Sequence, residues 1–111
     1  MTEEAGCALL KARFEKAGYT IAERHKVAIG GAEIELDGFD PAARIGYEYI
    51  TTEAGDRTEI TPAVLEALED AMARDEFYVL LIDETDAPDE RLLTVAADRF
   101  LAAAGARLTG K

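Results

Sequence analysis

The fold is decided by residues 19–37, which read YTIAERHKVAIGGAEIELD. Apolar and polar side chains alternate on both sides of Gly30-Gly31, a pattern typical of two strands joined by a tight hairpin turn. With a two-residue turn, Val27 pairs with Ile34, and the apolar side chains of both strands share one face. The sequence therefore predicts a half-buried antiparallel hairpin.

The opposite face of this hairpin carries complementary charges. In the same register Lys26 lies across from Glu35, and Arg24 lies across from Asp37. Each such pair contributes only about 0.2–1 kcal/mol, which suits the setting of a register. We therefore expect both acids to form surface ion pairs with the neighbouring strand.

Periodic segments on either side of the hairpin predict the remaining elements. Thr2 can cap a first helix, and Thr61-Pro62 supplies an N-cap followed by proline at the first helical position. After the hairpin we expect a strand over 44–51, a polar loop around 55–57, a helix over 62–75 and a strand over 77–82. The first helix is expected over 3–17, and the last begins after Thr85 or Asp86 and ends at Gly105.

Residues 77–82 are apolar at both parities, which indicates a strand covered on both faces. We expect it to be the central strand, parallel to its neighbour after a helical crossover. The predicted fold class is α/β (α+β), with the order αβββαβα and a four-stranded mixed sheet that has helices on both faces. Since 49% of the residues are hydrophobic, one domain over residues 1–111 can form its own core.

The composition excludes several classes of protein. The chain has no Ser, Asn, Gln or Trp, which excludes a serine triad, and it has no phosphate-loop motif. Cys7 is the only cysteine, so an internal disulfide is impossible and nothing indicates an oxidising compartment. Its longest apolar run is too short to span a bilayer, and the first residues lack the pattern of a signal peptide. We expect a cytoplasmic protein with no membrane segment.

The formal net charge of −11 is concentrated in the middle of the chain. Residues 31–90 hold eighteen acidic and three basic side chains, whereas the flanking segments are slightly basic. An acidic field repels phosphate, which disfavours nucleic-acid binding. A basic protein is the expected kind of partner.

Two acids lie where a known family holds its metal. Asp37 ends the second strand, and Glu48 lies in the third strand, followed by Tyr49 and Ile50. With the predicted order of elements, this arrangement resembles the core of the PD-(D/E)xK nuclease-like superfamily over residues 3–83. In that family an Asp near strand two and a Glu-x-Lys on strand three hold a divalent metal and activate water.

The resemblance implies a fold but argues against an intact active site. Ile50 occupies the lysine position, and an apolar side chain cannot orient or deprotonate water. Lys26 is the only nearby candidate for a lysine supplied by a neighbouring strand.

Three further residues could carry chemistry, and each also has a structural explanation. Asp83 follows the buried strand, where open α/β sheets place ligands, so it could bind a divalent ion or simply cap the next turn. Cys7 lies on the buried stripe of the first helix and is expected to be a core residue. His25 lies on the apolar face of the hairpin, and packing is the favoured interpretation because no second His or Cys is near it in sequence.

These observations leave three hypotheses on function. The leading one is a non-catalytic, acidic protein-binding module without a cofactor. The first alternative is a metal-dependent, nuclease-like phosphodiesterase that uses Asp37 and Glu48 and requires a divalent cation. The second is a homo-oligomeric structural protein, in which the basic terminal regions of one copy meet the acidic middle of another.

Overall fold

A computed structural model describes residues 2–29, 31–51 and 61–109, apart from the side chains of Ala32, Leu108 and Thr109. The chain follows the predicted order αβββαβα. The elements are α1 (Glu3–Lys16), β1 (Ala22–Ile29), β2 (Ala32–Asp40), β3 (Ile45–Ile50), α2 (Pro62–Ala73), β4 (Tyr78–Asp83) and α3 (Glu90–Thr109). Gly30 of the predicted turn and the predicted loop around 55–57 lie outside the described residues.

The four strands form one mixed sheet in the order β1-β2-β3-β4. β2 is antiparallel to both β1 and β3, and β4 is parallel to β3. The predicted hairpin register is confirmed by the pairs Val27 with Ile34 and Lys26 with Glu35. The expectation that the strand over 77–82 is central was wrong, because β4 lies at the edge of the sheet.

Helices cover the sheet on both faces, and this explains why β4 is apolar at both parities. One core cluster joins α1 and α3 to the sheet and includes Phe14, Tyr47 and Leu93, each at most 1% exposed. The other joins α2 to the opposite face through Leu68 and Val79. Side chains of β4 therefore alternate between two cores although the strand has one strand neighbour. Within the described residues, no helix has the length and hydropathy needed to cross a bilayer.

Capping fixes where the helices begin. The hydroxyl oxygens of Thr2 and Thr61 accept hydrogen bonds from the third residue after each, which confirms both predicted N-caps. The start of α3 differs from the prediction, since the Asp89 carboxylate accepts the backbone N–H of Leu92 and the helix begins at Glu90.

The end of α3 also differs, because the helix continues through Gly105 to Thr109. Glycine in a helix costs about 1 kcal/mol relative to alanine, and this is too little to end a helix that is held by other contacts. One such contact joins Arg107 to Asp75, with 2.6 Å between Nη2 and Oδ1. The guanidinium of Arg107 also lies over the Tyr78 ring. The last turns of α3 are therefore anchored to the start of β4.

The helical spacing of Leu65, Leu68 and Met72 predicts that these three side chains form the buried stripe of α2, and this prediction is partly wrong. Leu68 is fully buried and Met72 packs against the core, but Leu65 is 38% exposed. Ala71 is buried instead, so the inner face of α2 contains Leu68 and Ala71 and leaves Leu65 at its margin.

Candidate functional site

The backbone pairing between β2 and β3 ends before the strands do, and hydrogen bonds from backbone N–H groups to carboxylates follow it. The paired residues are Gly38 with Tyr47, Phe39 with Gly46, and Asp40 with Ile45. Beyond Gly38, the backbone N–H of Asp37 donates to Glu48 Oε1 over 3.2 Å. The backbone N–H of Tyr49 donates to Asp37 Oδ2 over 2.8 Å. The structure therefore brings the two predicted acids together in the gap between these strands.

Neither carboxylate is fully exposed, and the prediction that Asp37 is a surface group was wrong. Glu48 is 1% exposed, and Asp37 is half-buried. Burial of carboxylates has a large desolvation cost unless hydrogen bonds or cations compensate for it. The two backbone N–H groups supply part of that compensation and fix both side chains in place.

Two residues of α1 complete the cluster. The ligand atoms of Glu3, Cys7 and Asp37 all lie within 4.8 Å of one another. The Cys7 thiol donates a hydrogen bond to the Asp37 carboxylate. Burial, reinforced by the negative charges of Asp37, Glu3 and Glu48, holds the pKa of the Cys7 thiol well above its usual range. Cys7 is therefore a protonated hydrogen-bond donor and not an activated nucleophile.

The predicted ion pair between Arg24 and Asp37 was wrong. Arg24 adopts a left-handed backbone conformation with φ of 52°, and its pairing with Asp37 is missing between the intact pairs on either side. The Asp37 carboxylate is held instead by Tyr49 and Cys7. Arg24 and Asp37 do line one cleft of about 670 Å³ together with Glu3, Cys7 and Glu23. The hairpin thus contributes a cation to the wall of the cleft without neutralising Asp37.

The lysines are placed elsewhere. Ile50, at the lysine position of the nuclease-like pattern, pairs with Asp83 of β4. Lys26 lies 3.9 Å from Glu33, so its predicted pairing with Glu35 holds for the backbone register but not for the charges. Lys11 lies 3.7 Å from Glu23. Among the described residues, two cations thus lie beside this cleft. Arg24 lines its wall, and Lys11 pairs with Glu23, one of the acids that line it.

Asp83 has the capping role that the sequence allowed. Its Oδ1 accepts the backbone N–H and the hydroxyl of Thr85 over 2.9 and 2.8 Å, which closes the turn after β4. Among the described residues, Asp83 is not part of the group formed by Glu3, Cys7 and Asp37, whose ligand atoms lie close to one another. The structure therefore gives Asp83 a local structural role apart from the cluster.

His25 packs as the sequence predicted. Its ring stacks on Phe39, with 5.6 Å between the ring centroids and 20° between the ring planes. Among the described residues, His25 is not one of the side chains that lie close enough together to hold a metal ion.

Tyr49, whose backbone N–H contacts Asp37, has a buried hydroxyl. Tyr49 is fully buried, and its hydroxyl has no hydrogen-bond partner in the protein. Its ring packs so closely on Gly6 that a Cβ there would lie 2.5 Å from Tyr49 Cε2. Burial, together with the nearby Glu84, Cys7 and Asp83, raises the pKa of this phenol. Buried polar groups without a protein partner are ordinarily satisfied by water or an ion.

The cluster fits a hard divalent cation. Carboxylate oxygens are the ligands preferred by Mg²⁺, Mn²⁺ and Ca²⁺, and Glu3 and Asp37 supply them from α1 and β2. Glu48 accepts the backbone N–H of Asp37 but lies outside the group of ligand atoms that Glu3, Cys7 and Asp37 form. A carboxylate has about four acceptor positions, and the protein contacts described for Asp37 use two of them. No protein-family model, curated protein or solved structure matches this chain.

Sequence reasoning missed Glu3 and Cys7 as members of the cluster. From the sequence alone, Glu3 is explained as an acid at the positive end of the α1 dipole, and Cys7 as a core residue. The available signal was their spacing of four residues, which places both on one face of α1. That spacing could not show which strand the face would meet, because the close approach at Gly6 is a tertiary feature.

Proposed function

We propose that this protein binds a divalent cation through Asp37 and Glu48, with Glu3 as a further ligand, as a non-catalytic module with a nuclease-like core. The observation that carries the proposal is the convergence of the two acids through reciprocal backbone hydrogen bonds. Like charges held together in a partly buried site repel each other, and a cation relieves that repulsion.

Among the described residues, the lysine beside the cleft is Lys11, and it pairs with Glu23 over 3.7 Å, which supports a non-catalytic role. Ile50 can neither donate nor accept a proton, and Lys26 is engaged with Glu33. The Cys7 thiol, with its raised pKa, is a poor nucleophile and a poor base. Among the described residues of the cluster, carboxylates are therefore the only groups with base character.

Manganese titration by calorimetry tests the binding. We expect the wild type to bind one Mn²⁺ and both Asp37→Asn and Glu48→Gln to weaken binding about tenfold or more, because each removes one charged ligand. Glu33→Gln is the matched control, since it removes an exposed acid elsewhere on the hairpin, and it should bind as the wild type does. Equal heats for the wild type and for folded Asp37→Asn and Glu48→Gln would reject the proposal. Circular dichroism reports whether each variant is folded.

Phosphodiester hydrolysis is the competing function of the same site. Arg24 in the cleft wall favours it, because a guanidinium can contact a phosphate. Hydrolysis of bis(p-nitrophenyl) phosphate with saturating Mn²⁺ separates the two functions. A rate no higher than that of Glu48→Gln supports the non-catalytic role, whereas a rate that Glu48→Gln abolishes would identify a phosphodiesterase.

Binding of a basic protein is a second candidate, favoured by the exposed side of α2. Glu66, Glu69 and Asp70 all point to solvent from this helix, and only Asp70 has a cation, Arg74, at 3.4 Å among the described residues. An acidic helix face of this kind attracts a basic surface at low ionic strength.

A further inference from the structure

A second cleft lies between the hairpin and α2, on the face of the sheet opposite to α1. Its volume is about 320 Å³, which is within the range of sites for small molecules. Charged side chains form part of the wall, and the rest of it is apolar: Ile29 and Phe39 come from the hairpin, Ala67 and Ala71 from α2, and Phe77 from the residue before β4. Such a cleft can exclude water from an aliphatic or aromatic group.

Two arginines line this cleft, and their charges are used differently. Arg74 lies between two acids, with Nη2 3.4 Å from Asp70 Oδ2 and 2.9 Å from Glu76 Oε2. Arg44 is exposed and forms no ion pair with any residue that the structure describes. Arg44 is therefore the guanidinium of the cleft without an ion-pair partner among the described residues, although the lining as a whole carries two cationic and two acidic side chains.

The backbone of Arg44 is held in a strained conformation at the cleft. Its φ is 62°, in the left-handed region that non-glycine residues seldom adopt. Hydrogen bonds on both sides hold it there: its N–H donates to the Asp40 carbonyl, and its carbonyl accepts the N–H of Tyr78. Strain that the surrounding structure fixes in this way is typical of functional positions.

We propose that this cleft binds a small carboxylic acid with an aliphatic or aromatic body. The body lies among Phe39, Phe77 and the alanines of α2, and the carboxylate pairs with Arg44. Asp70 and Glu76 both contact Arg74. Arg44 has no ion-pair partner among the described residues, and a guanidinium of this kind favours an acid over a neutral compound. This site is independent of the carboxylate cluster and of the cation proposed there.

Calorimetry with 3-phenylpropionate and its amide, 3-phenylpropanamide, tests this site on the full chain. We expect the acid to bind about tenfold more tightly than the amide, since a charge-assisted pair with Arg44 is lost in the amide. Arg44→Asn should remove this preference, because asparagine tolerates a positive φ and carries no charge. Arg99→Gln, which removes an exposed arginine of α3 outside the cleft, should bind as the wild type does.

A second variant keeps the test decisive if Arg44→Asn is poorly folded. Ala67→Leu adds apolar volume on the helix side of the cleft, and we expect it to weaken binding of both compounds. Equal affinity for acid and amide would overturn the proposal. So would an unchanged preference in folded Arg44→Asn, unchanged binding in Ala67→Leu, or no heat with the acid up to about 10 mM.

Discussion

Asp40 shows what a single buried carboxylate contributes to the junction of β2 and β3. It is 6% exposed, and its oxygens accept the backbone N–H groups of Thr20, Ala42 and Ala43 over 2.9, 2.9 and 3.1 Å. Burial alone would raise the pKa of Asp40, but the three hydrogen bonds outweigh it, and the pKa is lowered. The charged form is therefore the one that the fold stabilises.

Replacement of this carboxylate should destabilise the protein in a pH-dependent way. Asp40→Asn turns a nitrogen toward a backbone donor, and we expect a loss of about 2 kcal/mol in the free energy of unfolding at neutral pH. Because the pKa is lower in the folded state, the contribution is complete above the unfolded value of about 3.9 and is lost as the pH falls through the folded pKa. Urea unfolding of both proteins at about pH 7 and pH 3 measures this difference. A gap that grows at the lower pH would contradict the expectation.

At the scale of the element, Gly105 leads to a prediction about α3. The residue lies inside the helix, and a Cβ built there meets no atom within 4 Å. Gly105→Ala should raise the free energy of unfolding by about 0.5–1 kcal/mol, because alanine loses less conformational entropy in a helix.

Gly46→Ala is the matched control for this change. A Cβ at Gly46 would contact the backbone carbonyl of Gly38 and lie 2.9 Å from Phe39 Cα, neither of which can move freely inside the sheet. We expect this variant to lose about 1–3 kcal/mol. Thermal unfolding of both variants measures the two effects, and a loss of stability in Gly105→Ala would show that α3 is strained at that position.

The elements also show which parts of the fold are readable from a sequence. The hairpin register could be predicted because the alternation of apolar and polar residues and the two-residue turn are together compatible with one pairing of the strands. The edge position of β4 could not, since helices α2 and α3 bury both of its faces, and burial does not reveal how many strand neighbours a strand has. The positions of Asp37 and Glu48 followed from the pattern, but their contacts depended on the early end of the β2–β3 ladder.

At the scale of the whole molecule, the net charge of −11 governs association. We expect a lysine-rich peptide of about 20 residues to bind at low ionic strength and to lose about tenfold or more in affinity once salt screens exposed charges. Neutralising Glu66, Glu69 and Asp70 together should weaken binding more than neutralising Glu4, Glu33 and Glu35, three exposed acids elsewhere. Fluorescence anisotropy over a salt series measures the affinity.

The result separates the remaining hypotheses on partners. Equal weakening by both triple variants would contradict a docking role for α2, and no binding at low salt would contradict a basic partner. Homo-oligomerisation through opposite charges makes a different prediction, namely a sedimentation coefficient that falls as salt is added. A monomer at low ionic strength would exclude that arrangement.

The left-handed conformation of Arg24 affects how copies of this protein meet in a crowded solution. β1 is an outer strand of the sheet, and an outer strand offers its amide and carbonyl groups to any extended chain that comes alongside. The left-handed residue Arg24, within β1, interrupts this row of backbone groups, so an incoming strand can pair only with the short segments on either side of it. The irregularity that opens the wall of the cleft thereby also hinders the growth of fibrils from this edge.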